Sequence, residues 1–223
     1  MTYILNIETA TKNCSVSLAN DGEIVVFKEL NDEGFSHAEK LHGFISDVLA
    51  ETSITFSDLN AVAVSKGPGS YTGLRIGVSA AKGLCFALDI PLISVNTLIS
   101  LAQSISIREG YKIPMLDARR MEVYSAVFDE NNHLKEAVSA TIISGNSFHE
   151  FLEKKEVYFF GDGAFKCKDV LAHKNAKFID NKFPSAKEMG ILSYEKYKKS
   201  DFENVAYFEP FYLKDFIALK PKS

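Results

Sequence analysis

The residues best placed to do chemistry gather in one stretch. Between positions 63 and 88 the chain reads AVSKGPGSYTGLRIGVSAAKGLCFAL, with Gly67, Pro68 and Gly69 standing just before Ser70, Thr72 and Arg75. Glycine adopts backbone shapes closed to other residues, and successive amides in such a turn form a concave nest for an anion. A helix opening directly after it adds partial positive charge at its N-terminus, and Ser70, Thr72 and Arg75 bring further donors. A phosphate or carboxylate site is one reading. A tight strand-to-helix turn whose glycines serve geometry alone is the other, and the residues leave both open.

Elsewhere the chemistry-bearing residues are dispersed. His37 and His42 lie five apart on a helical segment, about 140° around the axis, so they diverge and read as singly exposed side chains. Cys14, Cys85 and Cys167 are an odd, widely spaced set with no metal pattern; they read as buried free thiols in a reducing compartment. No G-x-x-x-x-G-K, G-x-S-x-G or H-E-x-x-H occurs, so the usual signatures of phosphate-loop, serine-nucleophile and zinc chemistry are missing.

The elements that must carry these residues follow from pattern. Tyr3 to Glu8, Cys14 to Ala19 and Glu23 to Leu30 read as strands, with Asn20-Asp21-Gly22 as a hairpin turn. Ser36 and Glu39 make a capping box for a helix whose Leu41, Phe44, Ile45, Val48 and Leu49 share one face. Ala61 to Ser65 is a strand into the glycine turn, and a helix from Thr72 to Leu88 carries Leu74, Val78, Ala81, Cys85 and Leu88 as its stripe. Pro91 to Val95 is a strand, after which Asn96 caps a helix to Gln103. Past a boundary near residues 105–111 the order begins again. Lys112 to Leu116, Glu122 to Phe128 and a bent or broken Leu134 to Ile143 are strands, Ser147 caps a helix to Lys155, and Val157 to Gly161 is a strand. A further helix opens at Ser185, with Glu188 three residues on. Strand-strand-strand-helix-strand, met twice, predicts α/β units of residues 1–108 and 109–223: a mixed five-stranded sheet flanked by helices, then a shortened copy.

Such a pair describes a duplicated ribonuclease-H-like fold, that of the actin, Hsp70 and sugar-kinase ATPases. Within that superfamily the central segment resembles the TsaB/TsaD family, in which a G-P-G turn leads into G-x-R-x-G-x-x-x-A-x-G-L; here these are Gly67-Pro68-Gly69, Gly73, Arg75, Gly77, Ala81, Gly83 and Leu84. Asn6-Ile7-Glu8-Thr9-Ala10-Thr11 is similar to the family's I-D-T-A-T, Asp117 to Tyr124 to its D-A-R-x-x-E-V-Y, and Glu209 to Leu213 to its closing P-x-Y-L.

The resemblance implies a role in making threonylcarbamoyladenosine, the modified nucleoside beside the tRNA anticodon. TsaD, the catalytic relative, carries an H-x-x-x-H pair after the strand that follows this helix; aligned on Pro91 to Asn96, those positions here are Thr97 and Leu101. Glu8 stands where the family has Asp, and Ala10 where the ATPases have glycine. The resemblance therefore implies a non-catalytic subunit that binds and activates TsaD as a heterodimer and is cycled by the ATPase TsaE. ATP and Mg2+ are then implied for the complex rather than bound by this chain, and tRNA is met through the complex. Contact candidates are the turn Lys66, Gly67, Pro68, Gly69, Ser70, Tyr71, Thr72 and Gly73 with Arg75, together with Gly77 and Ala81, and secondarily Asp117 and Arg119. For the last two, pairing between the halves is the competing reading.

Bulk properties agree. The chain has 223 residues, 46% hydrophobic and 24% charged, with net charge −4. That is a globular composition without the basic surplus of a protein that grips RNA by itself. Lys196, Lys198 and Lys199, and Lys214, Lys220 and Lys222, read as a solvated helix face and tail. The opening MTYILNIETA lacks a basic leader or apolar span, so a cytoplasmic protein without membrane contact is expected. A homodimer of the chain alone, an independent ATP-dependent phosphotransferase and a glycoprotease-like peptidase are the alternatives to be weighed.

Overall fold

The computed structural model describes residues 1–31 and 37–214. The first sheet holds β1 (Tyr3–Glu8), β2 (Asn13–Asn20), β3 (Glu23–Asn31), β4 (Ala61–Gly67) and β5 (Leu92–Asn96), in the order β3-β2-β1-β4-β5. The β2–β3 connection turns on Asp21 and Gly22, at φ of 50° and 92°, the pair of positive values that a two-residue turn matched to strand twist requires. β1 runs antiparallel to β2 and parallel to β4. Helices α1 (His37–Thr52) and α2 (Tyr71–Leu88) cover one face, where Leu41, Ile45, Val48, Val78 and Cys85 pack on Leu5, Ile7, Val16 and Val62.

Helix α3 (Thr97–Gln103) joins the halves. Asn96 caps it, its side-chain oxygen accepting from the amides of Leu98 at 3.0 Å and Ile99 at 3.2 Å. Leu98, Leu101 and Ala102 pack against Leu116, Ala126, Phe128 and Phe160 of the second sheet. That sheet holds β6 (Tyr111–Asp117), β7 (Glu122–Asp129), β8 (Leu134–Ile142), β9 (Val157–Phe160) and β10 (Ala176–Ile179), ordered β10-β9-β6-β7-β8. Read from β8, this repeats the first sheet's order, so the fold is the duplicated ribonuclease-H-like one. The bend expected in the third strand is present as register shifts opposite Ser125 to Phe128.

The chain then returns to where it began. Helix α5 (Gly190–Lys198) and the short turn before it lie on the remaining face of the first sheet, with Ala186, Met189 and Leu192 against Ile4, Ala63 and Val95. Buried polar groups fix the register. Ser193 Oγ donates to Asn6 Oδ1 at 2.7 Å, the Ala186 amide donates to Ser15 Oγ at 2.8 Å, and Ser17 Oγ donates to the Ala186 carbonyl at 2.8 Å. Each satisfies a group that would otherwise be buried without a partner.

Some expectations are corrected. Ser147 does not cap a helix to Lys155: its hydroxyl accepts from the Ser144 amide, and α4 is only His149–Leu152, entered through Phe148 at φ 59°. Ser185 opens a three-residue 3-10 turn, Ala186–Glu188, rather than a long helix. His37 is buried, not exposed, while His42 is exposed. β10 had no clear sequence signal. The three thiols are free and buried. Ser36, Lys220 and Lys222 lie outside the described residues, among which no helix is long and apolar enough to cross a membrane.

Candidate functional site

The glycine turn is shaped by the chain's own backbone. Gly67 sits at φ 105°, the Gly67–Pro68 peptide is cis, and Ser70 caps α2 by accepting from the Gly73 amide at 3.2 Å. The Ser70 amide donates to the Ala10 carbonyl at 2.6 Å, and Thr9 Oγ1 donates to the Gly73 carbonyl at 2.8 Å. A Cβ would come within 2.4 Å of Ala10 O at Gly69, 2.1 Å of Thr9 O at Gly73 and 2.3 Å of Thr9 Oγ1 at Gly77. The glycines are thus demanded by the close approach of the β1–β2 loop to α2. Two of the turn's amide donors are already used within the chain, those of Ser70 and Gly73.

The polar groups at the end of β1 are likewise turned inward. Glu8 is fully buried; its Oε1 accepts from the Ala10 amide at 2.6 Å and from Ser65 Oγ at 2.7 Å. Burial pushes its carboxyl up to about 7, against those two donors. Asn13 donates its amide to the Pro184 carbonyl at 2.9 Å. Thr97 and Leu101, aligned with the imidazole pair, are both wholly buried. Among the described residues no three His, Cys, Asp or Glu gather as metal ligands.

Asp117 and Arg119 belong to the second sheet's own turn. Asp117 Oδ1 accepts from the Arg119 amide at 2.8 Å and pairs with Lys166, while the Asp117 amide donates to Asp162 Oδ1 at 3.1 Å. These contacts stay within the second half rather than joining the two. Burial also lifts the Asp162 carboxyl, to about 6.

An open groove lies between α1 and α2. It encloses about 750 Å³ and is lined by Ala38 and His42 of α1 and by Tyr71, Thr72, Arg75, Ile76, Ser79, Ala80, Gly83 and Leu84 of α2. Arg75 donates to the Tyr71 hydroxyl at 2.8 Å and lies over that ring. A side chain at Gly43 or Gly83 would meet nothing within 4 Å, and Phe86 is 85% exposed along the same helix. Of the sequence candidates, Tyr71, Thr72 and Arg75 reach this groove, whereas Gly77 faces Thr9 of the β1–β2 loop and Ala81 faces the core. Phe86 and Ile76 were missed. The signal for Phe86 is the converse of the core stripe, a large apolar residue on the face that the sheet leaves uncovered.

Comparison with known proteins is consistent along nearly the whole chain. The family model for TsaD, tRNA N6-adenosine threonylcarbamoyltransferase, matches residues 34–222. The tRNA threonylcarbamoyladenosine biosynthesis protein TsaB of Escherichia coli is 31% identical, over 97% of this chain and 96% of that protein. Its Haemophilus influenzae counterpart is 27% identical, over 97% and 95%. The crystal structure of YeaZ from Pseudomonas aeruginosa, 23% identical, superposes with a TM-score of 0.83 over 96% of this chain and 100% of that one, which establishes the shared fold.

Proposed function

This chain belongs to the TsaB family of tRNA threonylcarbamoyladenosine biosynthesis proteins, and on that footing we propose that it is the non-catalytic partner of a TsaD-type transferase. The α1/α2 groove is the docking face. The observation that carries this reading is the contrast between two surfaces. Where the superfamily's ATPases keep their reactive groups, Glu8 Oε1 and the Asn13 side-chain amide bond the chain's own backbone. The helix pair meanwhile presents an open apolar groove lined by Tyr71 and Arg75, residue types that dominate binding at interfaces, and α2 exposes Phe86 as well. The chain then acts by holding the transferase in a competent conformation, a binding-linked shift rather than a chemical step. ATP and Mg2+ are handled by the complex with TsaD and TsaE, which also brings in the tRNA. Alone, the same groove accepts a second copy.

Size-exclusion chromatography with light scattering, on this chain alone and mixed with TsaD of the same organism, tests the reading. Ser79→Glu and Gly83→Arg point into the groove without entering the core, so both should abolish the complex while leaving the melting temperature within a few degrees of wild type. A wild-type complex that survives both changes would move the interface elsewhere. No complex at micromolar concentration, with ATP and tRNA present, would end the partner assignment.

A further inference from the structure

After α5 the chain runs back along the first half as a strap. The Glu203 amide donates to the Leu92 carbonyl at 2.8 Å, closing the open edge of β5. Val205 and Phe208 pack on the core beneath α2, and Lys82 donates to the carbonyls of Ala206 at 3.2 Å and Phe208 at 3.0 Å. The Phe211 amide then donates to the Lys66 carbonyl at 2.7 Å, and the Tyr212 ring stands 4.9 Å from that of Tyr71. Finally Lys214 pairs with Glu122, whose side chain is 17% exposed and whose carbonyl accepts from Lys166 at 2.7 Å. Lys166 in turn pairs with Asp117. One run of contacts therefore joins Arg75 and Tyr71, at the mouth of the groove, to the Asp117–Glu122 turn of the second half.

We propose that the strap is a positioning element for the docking face: Tyr212 holds Tyr71, and with it Arg75, in the arrangement a partner meets, and the Lys214–Glu122 pair ties that arrangement to the second half. This rests on the α1/α2 groove being the partner site. Tyr71 begins α2, and the strap lies close against the turn before it: a Cβ on Gly67 would stand 2.9 Å from the Phe211 carbonyl. Loosening the strap thus takes Tyr212 off the Tyr71 ring without touching the groove floor, while Ser70 and Gly73 stay held by the β1–β2 loop. Linkage then runs in both directions, so a partner seated on Tyr71 and Arg75 slows opening of the strap.

The test is partner affinity, measured by titrating the full-length protein and its variants into TsaD, with hydrogen exchange read on both states. Lys214→Glu and Glu122→Lys should each weaken binding by about two- to fivefold, the range of a partly exposed ion pair. The double exchange, Lys214→Glu with Glu122→Lys, should restore it. Tyr212→Ala should weaken it by up to about tenfold, as the loss of an aromatic pair does, and complex formation should slow exchange of the Phe211 amide. Single variants that bind like wild type while the Phe211 amide loses protection would overturn the proposal. So would a double exchange that fails to restore affinity, since that pattern marks direct contact with the partner. A wild-type chain that forms no complex would instead remove the partner reading itself, and this proposal with it.

Discussion

The hydroxyl of Thr9 stands where a side chain on Gly77 would have to go, 2.3 Å from the site of its Cβ, and it is held there by donating to the Gly73 carbonyl. The first loop of the protein is thereby pressed so close to the start of α2 that a side chain at Gly69, Gly73 or Gly77 would force a shift.

The glycines of α2 should accordingly separate into two classes under urea unfolding. Gly77→Ala must displace Thr9 and break its hydrogen bond, a loss of about 1–3 kcal/mol. Gly73→Ala should be worse, because the obstruction is the Thr9 carbonyl at 2.1 Å, which no rotamer change relieves. Gly83→Ala meets nothing within 4 Å and should gain up to about 1 kcal/mol from helix propensity. Equal losses at all three positions would contradict the packing described.

Stability should depend on pH through Glu8. Its carboxyl, moved by burial from 4.5 to about 7, keeps its proton in the folded protein where the unfolded chain releases it. Stability therefore falls as pH rises through that window and levels off above it, the contribution reaching about 3 kcal/mol. Asp162 and Glu188, both raised first by burial, act in the same sense. His37, whose pKa burial lowers from 6.5, opposes them on the acid side. Glu8→Gln keeps the acceptor for Ala10 and removes the proton, so its unfolding free energy should vary less from pH 5 to 8 than that of wild type. An unchanged slope would assign the dependence to other groups.

The return of the chain onto the first sheet hinges on Ser193 and Asn6, both fully buried. Ser193→Ala leaves Asn6 Oδ1 without its donor, at a cost of about 1–3 kcal/mol. A double-mutant cycle with Asn6→Ala should give a coupling of at least about 0.5 kcal/mol. Additive effects would show that the contact does not hold α5.

Local signals carried most of the first half. The Asp21-Gly22 pair dictates its turn through positive φ, and Asn96 announces α3 through a side chain that reaches its own helix. The glycine turn was visible, but its meaning lay in Thr9 and Ala10, some 60 residues earlier, and no local pattern shows which loop will approach. The same holds for His37, an ordinary polar residue by type, which is buried because its helix begins against the β1–β2 loop. Ser147 looked like a cap because hydroxyl residues serve either a helix or a turn, and here it satisfies the Ser144 amide instead. In the candidate site, the small residues of α2 are alike by type. Only tertiary packing divides them, sending Gly77 and Ala81 inward and Ser79 and Gly83 out.

The late return of α5 sets a schedule for the newborn protein. Ile4, Ala63 and Val95 leave the ribosome early, yet Met189 and Leu192, which cover them, are made about 90 residues after β5 is complete. For that interval, several seconds or more at ordinary rates of synthesis, the first sheet exists with one apolar face bare. A chain cut short before α5 should therefore aggregate rather than persist as a half-molecule, and the two repeats, alike in topology, are not independent in time.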